Sequence, residues 1–233
     1  VVVSHRNGFS SFGGSSSYDT PSQFCVVGMH AGTTVRVLPR QGVHINGRAD
    51  DAPFVITLDA GDVFFGQAQV DIFTPYDVTG TQIIASKPVS VFGGVKRASI
   101  PTWWGNYRDH LVEQLPPLQN WGRNALVTPH YKVFPGNQDT AEYRVTSAFG
   151  PTDVTITGSV TSESVTMGAG EVLERPLLEA ASITASGPIL VTQYERSTPT
   201  GGGNQSSVGD PFMMIIPPVE QFDTSYTVQS IGF

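Results

Sequence analysis

The sequence predicts an all-β chain of two tandem β-sandwich-like repeats of about 100 residues each, and three observations carry that reading. Charged residues make up only 14% of the chain, which has 25 Gly and 17 Pro, and the runs between these turn residues are rich in Val, Ile, Thr, Phe and Tyr. That is the make-up of strands and turns. The stretch Asp109-His110-Leu111-Val112-Glu113-Gln114-Leu115-Pro116-Pro117-Leu118-Gln119-Asn120-Trp121 returns without a gap as Asp210-Pro211-Phe212-Met213-Met214-Ile215-Ile216-Pro217-Pro218-Val219-Glu220-Gln221-Phe222. Both have an acid, an apolar run, a Pro-Pro pair and an aromatic four residues beyond it. Finally, no stripe of apolar residues recurs at the helical period of about 3.6 residues.

The repeat extends backward. Ala85-Ser86-Lys87-Pro88-Val89 matches Ala185-Ser186-Gly187-Pro188-Ile189, Leu58-Asp59-Ala60-Gly61-Asp62-Val63 matches Met167-Gly168-Ala169-Gly170-Glu171-Val172, and Gly32-Thr33-Thr34-Val35 matches Pro151-Thr152-Asp153-Val154. The growing offset places two insertions in the first copy, around 41–51 and between Phe65 and Asp77. Both are expected as surface loops. The expected division is a first β-domain over 1–115, with long loops at 5–22 and 94–108, and a second over 116–216. Residues 217–233 would be the first strand of a further repeat or complete a neighbouring domain.

In chain order, Val1 to Ser4 resembles the end of a late strand and reads as the tail of an earlier copy. Residues 9–22 are rich in Gly and Ser and read as a surface loop. Phe24 to Met29 and Thr33 to Leu38 read as a hairpin around His30-Ala31-Gly32, repeated at Tyr143 to Ala148 and Asp153 to Thr157. Phe54 to Leu58 and Ser164 to Met167 alternate at the two-residue strand period, then turn at Ala-Gly-acid into Val63-Phe64-Phe65 and Val172-Leu173. Thr81 to Ala85 and Ser182 to Ala185 continue the pattern until Ser-X-Pro interrupts it, since proline lacks a ladder donor. Val89 to Phe92 and Ile189 to Tyr194 follow. About seven short strands per copy suggest a sandwich.

The net charge of −7 provides no electrostatic footprint for nucleic acid or an anionic membrane surface. No apolar run reaches the roughly 18 residues that cross a bilayer, so no membrane insertion is expected. With a single cysteine, Cys25, no internal disulfide is available, which points to a bacterial or otherwise disulfide-independent chain. Its expected role is small, apolar and buried.

The anchor stretch, with Trp121-Gly122 after it and Ser86-Lys87-Pro88-Val89-Ser90-Val91-Phe92-Gly93-Gly94 before it, resembles the N-terminal domain family of IgG Fc-binding protein. The second set, from Pro188-Ile189-Leu190-Val191-Thr192-Gln193-Tyr194 to Pro217-Pro218-Val219-Glu220-Gln221-Phe222, continues the same pattern. The resemblance implies a secreted or cell-surface, adhesive, non-enzymatic protein, with relatives among bacterial surface proteins. It supplies no binding residue, and Fc binding does not transfer with it. Animal members look cysteine-bearing near the Asp-His pair, where this chain has Arg108-Asp109-His110 and no cysteine.

No nucleophile elbow, zinc-protease motif, phosphate loop or paired-cysteine spacing is present. No cofactor is expected. The five histidines are scattered singly, so no metal site is expected either. Asp109, His110 and Glu113 read as structural, because the second copy keeps Asp210 but replaces the other two by Pro211 and Met213. The anchor residues Asp109, Pro116, Pro117 and Trp121, with Asp210, Pro217, Pro218 and Phe222, are expected to set an extended crossing between domains. Trp121 and Phe222 should be buried there at equivalent positions.

Recognition is expected on the loop before the first anchor. It holds Lys96, Arg97, Trp103, Trp104, Tyr107 and Arg108, where the second copy has a Gly/Ser-rich loop. Trp, Tyr and Arg are the residues that dominate interfaces. The expected partner is a protein or glycan ligand. Alternatively, the chain is a structural repeat of a fibre or surface layer, with neighbouring copies of itself as partners.

Overall fold

A computed structural model describes residues 1–6, 20–70, 74–101, 108–129, 141–197 and 211–227. The strands of its first half are β1 (Ser22–Gly28), β2 (Thr33–Leu38), β3 (Phe54–Leu58), β4 (Val63–Gln67), β5 (Gln82–Ala85), β6 (Val89–Ala98) and β7 (Asp109–Gln114). Those of the second are β8 (Gly122–Val127), β9 (Glu142–Ser147), β10 (Thr152–Gly158), β11 (Ser162–Met167), β12 (Val172–Pro176), β13 (Ala181–Tyr194) and β14 (Met213–Ile216). Short 3-10 helices at Leu118–Asn120 and Val219–Gln221 are the only helical segments among the described residues. The all-β class therefore holds.

All pairings between these strands are antiparallel. One layer of the first half runs β4-β1-β6-β7 and the other β3-β2-β5. In the second half β12-β9-β13-β14 and β11-β10-β13-β8 are joined through β13, whose first part pairs with β10 and β8 and whose last part pairs with β9 and β14. Ser86-Lys87-Pro88 separates β5 from β6. Its counterpart, Ser186-Gly187-Pro188, lies inside continuous β13 and leaves only a register shift between Thr184 and Ile189.

The expected hairpins are not formed. β1 pairs with β4 and β6, and β2 with β3 and β5, so the turn at 29–32 carries the chain from one layer to the other. The β3–β4 turn does the same in reverse. The two crossings lie against each other through Gly28 N–H to Asp62 O (2.9 Å) and Gly61 N–H to Gly28 O (2.9 Å). A side chain at Gly28 would meet Asp59 O at 2.4 Å, which accounts for glycine at this close approach. Ser147 makes the corresponding pair of bonds with Glu171 and Gly170 in the second half. A ribbon of two strands thus bends as one between layers.

Alternation along each strand turns one face inward. β2 reads buried-exposed-buried, with Val35 and Val37 fully buried. Phe24 lies over Gly66, where a side chain would meet its ring at 2.5 Å. It packs near Phe64, which in turn faces Phe54. One apolar cluster fills the first half and takes in Ala148, Leu190, Tyr194 and Met213 of the second, and another lies wholly within 125–216.

Two local expectations need correction. The two insertions are not simple surface loops: they meet at the bridge Ile45↔Ala68 and bury Val43, Ile45 and Ala68. Asn46, at φ 54°, ties them together by accepting from Gln67 N–H and donating to Phe65 O. Val1 to Ser4 packs into the first half. Val2 bonds Thr81 O and Gly80 N–H, and Val2 and Val3 are fully buried in the first core. Cys25 is half-buried between Phe65 and Phe92 on neighbouring strands, and burial raises its thiol pKa.

Candidate functional site

The residues that flank four chain segments, 7–19, 102–107, 130–140 and 198–210, lie in one region of the fold and are fastened to one another. Lys96 N–H donates to Pro21 O at 3.2 Å, linking the first segment to the second. Ile100 N–H donates to Ser197 Oγ, and Ser197 N–H to Ile100 O, both at 2.8 Å, linking the second to the fourth. Gln193 Nε2 donates to Thr128 O at 3.0 Å and Glu142 pairs with Tyr194 in the ladder, linking the fourth to the third. His5 Nε2 lies 2.5 Å from Glu142 Oε1, closing the ring between third and first.

Beneath this ring lies a buried polar network. Arg144, only 1% exposed, reaches Asp77 Oδ2 (2.8 Å), Glu174 Oε2 (2.7 Å) and the carbonyl of Ser4 (3.1 Å). Arg6 pairs with the other oxygen of Glu174. Tyr194 Oη donates to Ser4 O at 2.7 Å, its ring meeting His5 edge-on and the Arg144 guanidinium at 5.6 Å. Burial opposes charge on these groups, but the surrounding pairs outweigh it. Arg144 and Thr79 hold the Asp77 carboxyl well below its ordinary range, and Arg144 and Arg6 hold Glu174 down to about 2. Burial raises the Tyr194 hydroxyl, so it stays a donor.

Both carboxyls take up protons more readily in the unfolded chain, so the stability they contribute is complete above the ordinary carboxylate range, about pH 4. It is lost as pH falls from there toward their folded values. Urea unfolding across a pH series should therefore show steady stability down to about pH 5 and a decline below about 4.5. Glu174→Gln should make that decline shallower. An unchanged slope would place the acid sensitivity elsewhere.

His5, Glu142 and Glu174 bring three donor atoms within 4.8 Å of one another. These donors already have protein partners: Arg6 and Arg144 neutralise Glu174, and His5 bonds Glu142. A divalent ion would sit beside two guanidinium groups. The trio does not fit a metal centre, since buried like charges repel with little screening.

Of the residues expected to bind, Lys96 and Arg97 are exposed at the end of β6, and Arg108 is half-buried before β7. Burial and the nearby Arg97 charge both lower the Arg108 pKa. Trp103, Trp104 and Tyr107 lie outside the described residues, as does Asp210. Asp109 is exposed and accepts from His110 N–H at 2.7 Å, and His110 is exposed.

Pro117 and Pro218 are both extended, at φ −63°, ψ 154° and φ −68°, ψ 150°, and each leads into a 3-10 turn. Both Pro-Pro pairs, Pro116-Pro117 and Pro217-Pro218, line one groove of about 350 Å³. Trp121 is 7% exposed and its Nε1 donates to Pro116 O at 3.3 Å. Phe222 is not buried as expected: it is 49% exposed.

The buried network was missed in the sequence because His5, Asp77, Arg144 and Glu174 are far apart along the chain. The available signal was Glu142 and Arg144 alternating with Tyr143 and Val145, which reads as an outward polar face. That face is covered by the N-terminal segment.

No helix among the described residues is long and apolar enough to cross a membrane, and no solved structure matches the chain. A human protein named IgGFc-binding protein is 25% identical over 209 residues, covering 90% of this chain, which spans about 4% of that protein's length. A family model described as IgGFc binding protein matches residues 1–231. With nearly the whole chain matched, from the buried N-terminal segment through both Pro-Pro segments, the chain belongs to the IgGFc binding protein family.

Proposed function

We propose that this chain is an extracellular, non-catalytic protein-binding module, bacterial in setting, that engages its ligand through the end of the fold where the residues flanking the four segments are joined. The ring of bonds joining their bases carries the reading: loops on a rigid scaffold recognise partners without a large ordering cost. Their composition supports it. The four segments contain Phe9, Phe12, Tyr18, Trp103, Trp104, Tyr107, Tyr131 and Phe134 among Ser, Gly and Asn residues, the mixture of rigid aromatic anchors and adaptable polar residues found in antibody paratopes. Lys96, Arg97 and Arg108 add positive charge at one edge. Secretion or surface display and the absence of an enzymatic role rest on family membership, and the buried acid–base groups are held in structural pairs.

The name of the human relative makes the Fc region of IgG the first ligand to test, with glycans second. Surface plasmon resonance against Fc and a glycan array should give binding to one of them. The double variant Trp103→Ala, Trp104→Ala should weaken that binding by at least about 30-fold, the loss of one strong interface anchor of about 2 kcal/mol. Binding that survives this variant and survives charge reversal at Lys96 and Arg97 would remove the loop end as the site.

The chain also reads as two units of one fold, 1–115 and 116–216, with 217–233 starting a third. The pairing orders β4-β1-β6-β7 and β12-β9-β13-β14 support this.

A further inference from the structure

A small pocket of about 110 Å³ lies in the second half, between its two layers, with an apolar wall of Ile156, Pro176, Leu178 and Ala181. Tyr143 of β9 also lines it. This residue is 4% exposed and its ring belongs to the second apolar cluster, yet its hydroxyl has no hydrogen-bond partner among the described residues. Buried hydroxyls are nearly always bonded, so one left open toward a pocket marks a place for a ligand atom.

The charges around this hydroxyl are already matched. Arg175 grips Glu163 through Nε (2.8 Å) and Nη2, and its Nη1 donates to Glu174 O at 2.7 Å. The Glu179 carboxylate accepts from the N–H groups of Ser159 (2.7 Å), Val160 (3.1 Å) and Thr161 (2.9 Å). Burial raises the Tyr143 pKa, so its hydroxyl stays neutral and can both donate and accept. The unmet chemistry of the pocket is therefore that of a neutral, hydroxyl-bearing ligand. The first half closes the equivalent place with rings. Phe24 pairs with Gly66 as Tyr143 pairs with Arg175, and Phe54, the counterpart of Glu163, packs near Phe64. A core position that is apolar in one half and carries an unbonded hydroxyl in the other gives up stability, which is the mark of a functional site.

We propose that this pocket binds one neutral sugar ring by its edge. The C–H face of such a ring lies on Leu178, 65% exposed, and on Pro176, while its rim hydroxyls bond Tyr143 Oη and the outward atoms of the Glu163–Arg175 pair. The volume equals that of about four liquid waters, room for one side of a ring and not for a chain of them. A charged sugar gains nothing here, because each charge in the pocket already has its partner. The site is built wholly from residues 143–181 and so is independent of the four segments, although Leu177 N–H, donating to Ala141 O at 2.6 Å, places it next to the residues flanking segment 130–140.

The test is saturation-transfer NMR on the intact chain with the methyl glycosides of glucose, galactose, mannose and fucose, with N-acetylglucosamine, and with cationic glucosamine. At least one neutral sugar should bind at about 1 mM, the affinity expected of about a dozen non-hydrogen atoms, and glucosamine should not bind. Tyr143→Phe removes only the hydroxyl. It should weaken the sugar about 3- to 10-fold, the contribution of one hydrogen bond between neutral groups, and leave the melting temperature unchanged or raised. Leu178→Glu, on the exposed wall, should abolish binding, whereas the double variant Trp103→Ala, Trp104→Ala should leave it intact. Failure of every neutral sugar to bind would overturn the proposal and leave the loop-end reading standing. So would glucosamine binding as tightly as the neutral sugars, or Tyr143→Phe binding with unchanged affinity. A fall of more than about 4 °C in the melting temperature of Tyr143→Phe would overturn it by showing the hydroxyl bonded within the chain, and loss of sugar binding in the tryptophan variant would overturn it by moving the sugar to the loop end.

Discussion

Arg144→Met should destabilise the fold by about 3–5 kcal/mol, the usual cost of removing one partner from a buried ion pair. For a chain of this size that is a fall in melting temperature of about 6–20 °C. The guanidinium holds Asp77, Glu174 and the carbonyl of Ser4 together. Methionine can fill the space but leaves buried Asp77 without its cation and Glu174 with Arg6 alone, so Asp77 must take up a proton or draw in water. Adding Asp77→Asn and Glu174→Gln to the same variant should recover much of the loss, because neutral amides need no counter-charge. A fall of less than about 1 kcal/mol in the single variant would mean the network is solvated like a surface pair. Because the same arginine anchors the N-terminal segment beneath the loop bases, ligand binding should weaken along with stability.

How much of this was legible follows from what a strand reports about itself. Alternation in Thr33 to Leu38 or Phe54 to Leu58 shows that a segment has one buried face, and those segments are strands. Alternation does not say which neighbour pairs with it. The short turn at His30-Ala31-Gly32 therefore read as a hairpin, when it is a crossing between layers shared with Asp59 to Gly61. Nor does alternation name what covers a polar face, and the N-terminal segment lies over Glu142 and Arg144. Insertions relative to a repeat mark where length was added. They do not show that two of them, at Ile45 and Ala68, close on each other. The Pro-Pro segments were more legible, because proline restricts its own backbone and that of its predecessor whatever the tertiary setting. Their extended geometry and the 3-10 turn after each are the result.

The same segments give a second large effect. Trp121→Ala should cost about 3–5 kcal/mol, as deletion of a buried large aromatic does, whereas Phe222→Ala and His110→Ala should each stay within about 0.5 kcal/mol, as exposed substitutions do. Trp121 belongs to the first apolar cluster together with Leu115, Leu190 and Met213, so its ring joins residues of both halves. Removing it opens a cavity at the seam between them, next to the groove lined by both Pro-Pro pairs. His110 has an exposed side chain whose Nδ1 lies 3.4 Å from Lys96 O, a contact water can replace. Phe222 occupies the matching position in sequence but is half uncovered. Thermal unfolding of the three variants separates the ideas cleanly. A loss at His110 equal to that at Trp121 would mean the anchor holds an unrecognised site. A loss at Phe222 equal to that at Trp121 would mean its ring is covered in solution as fully as that of Trp121.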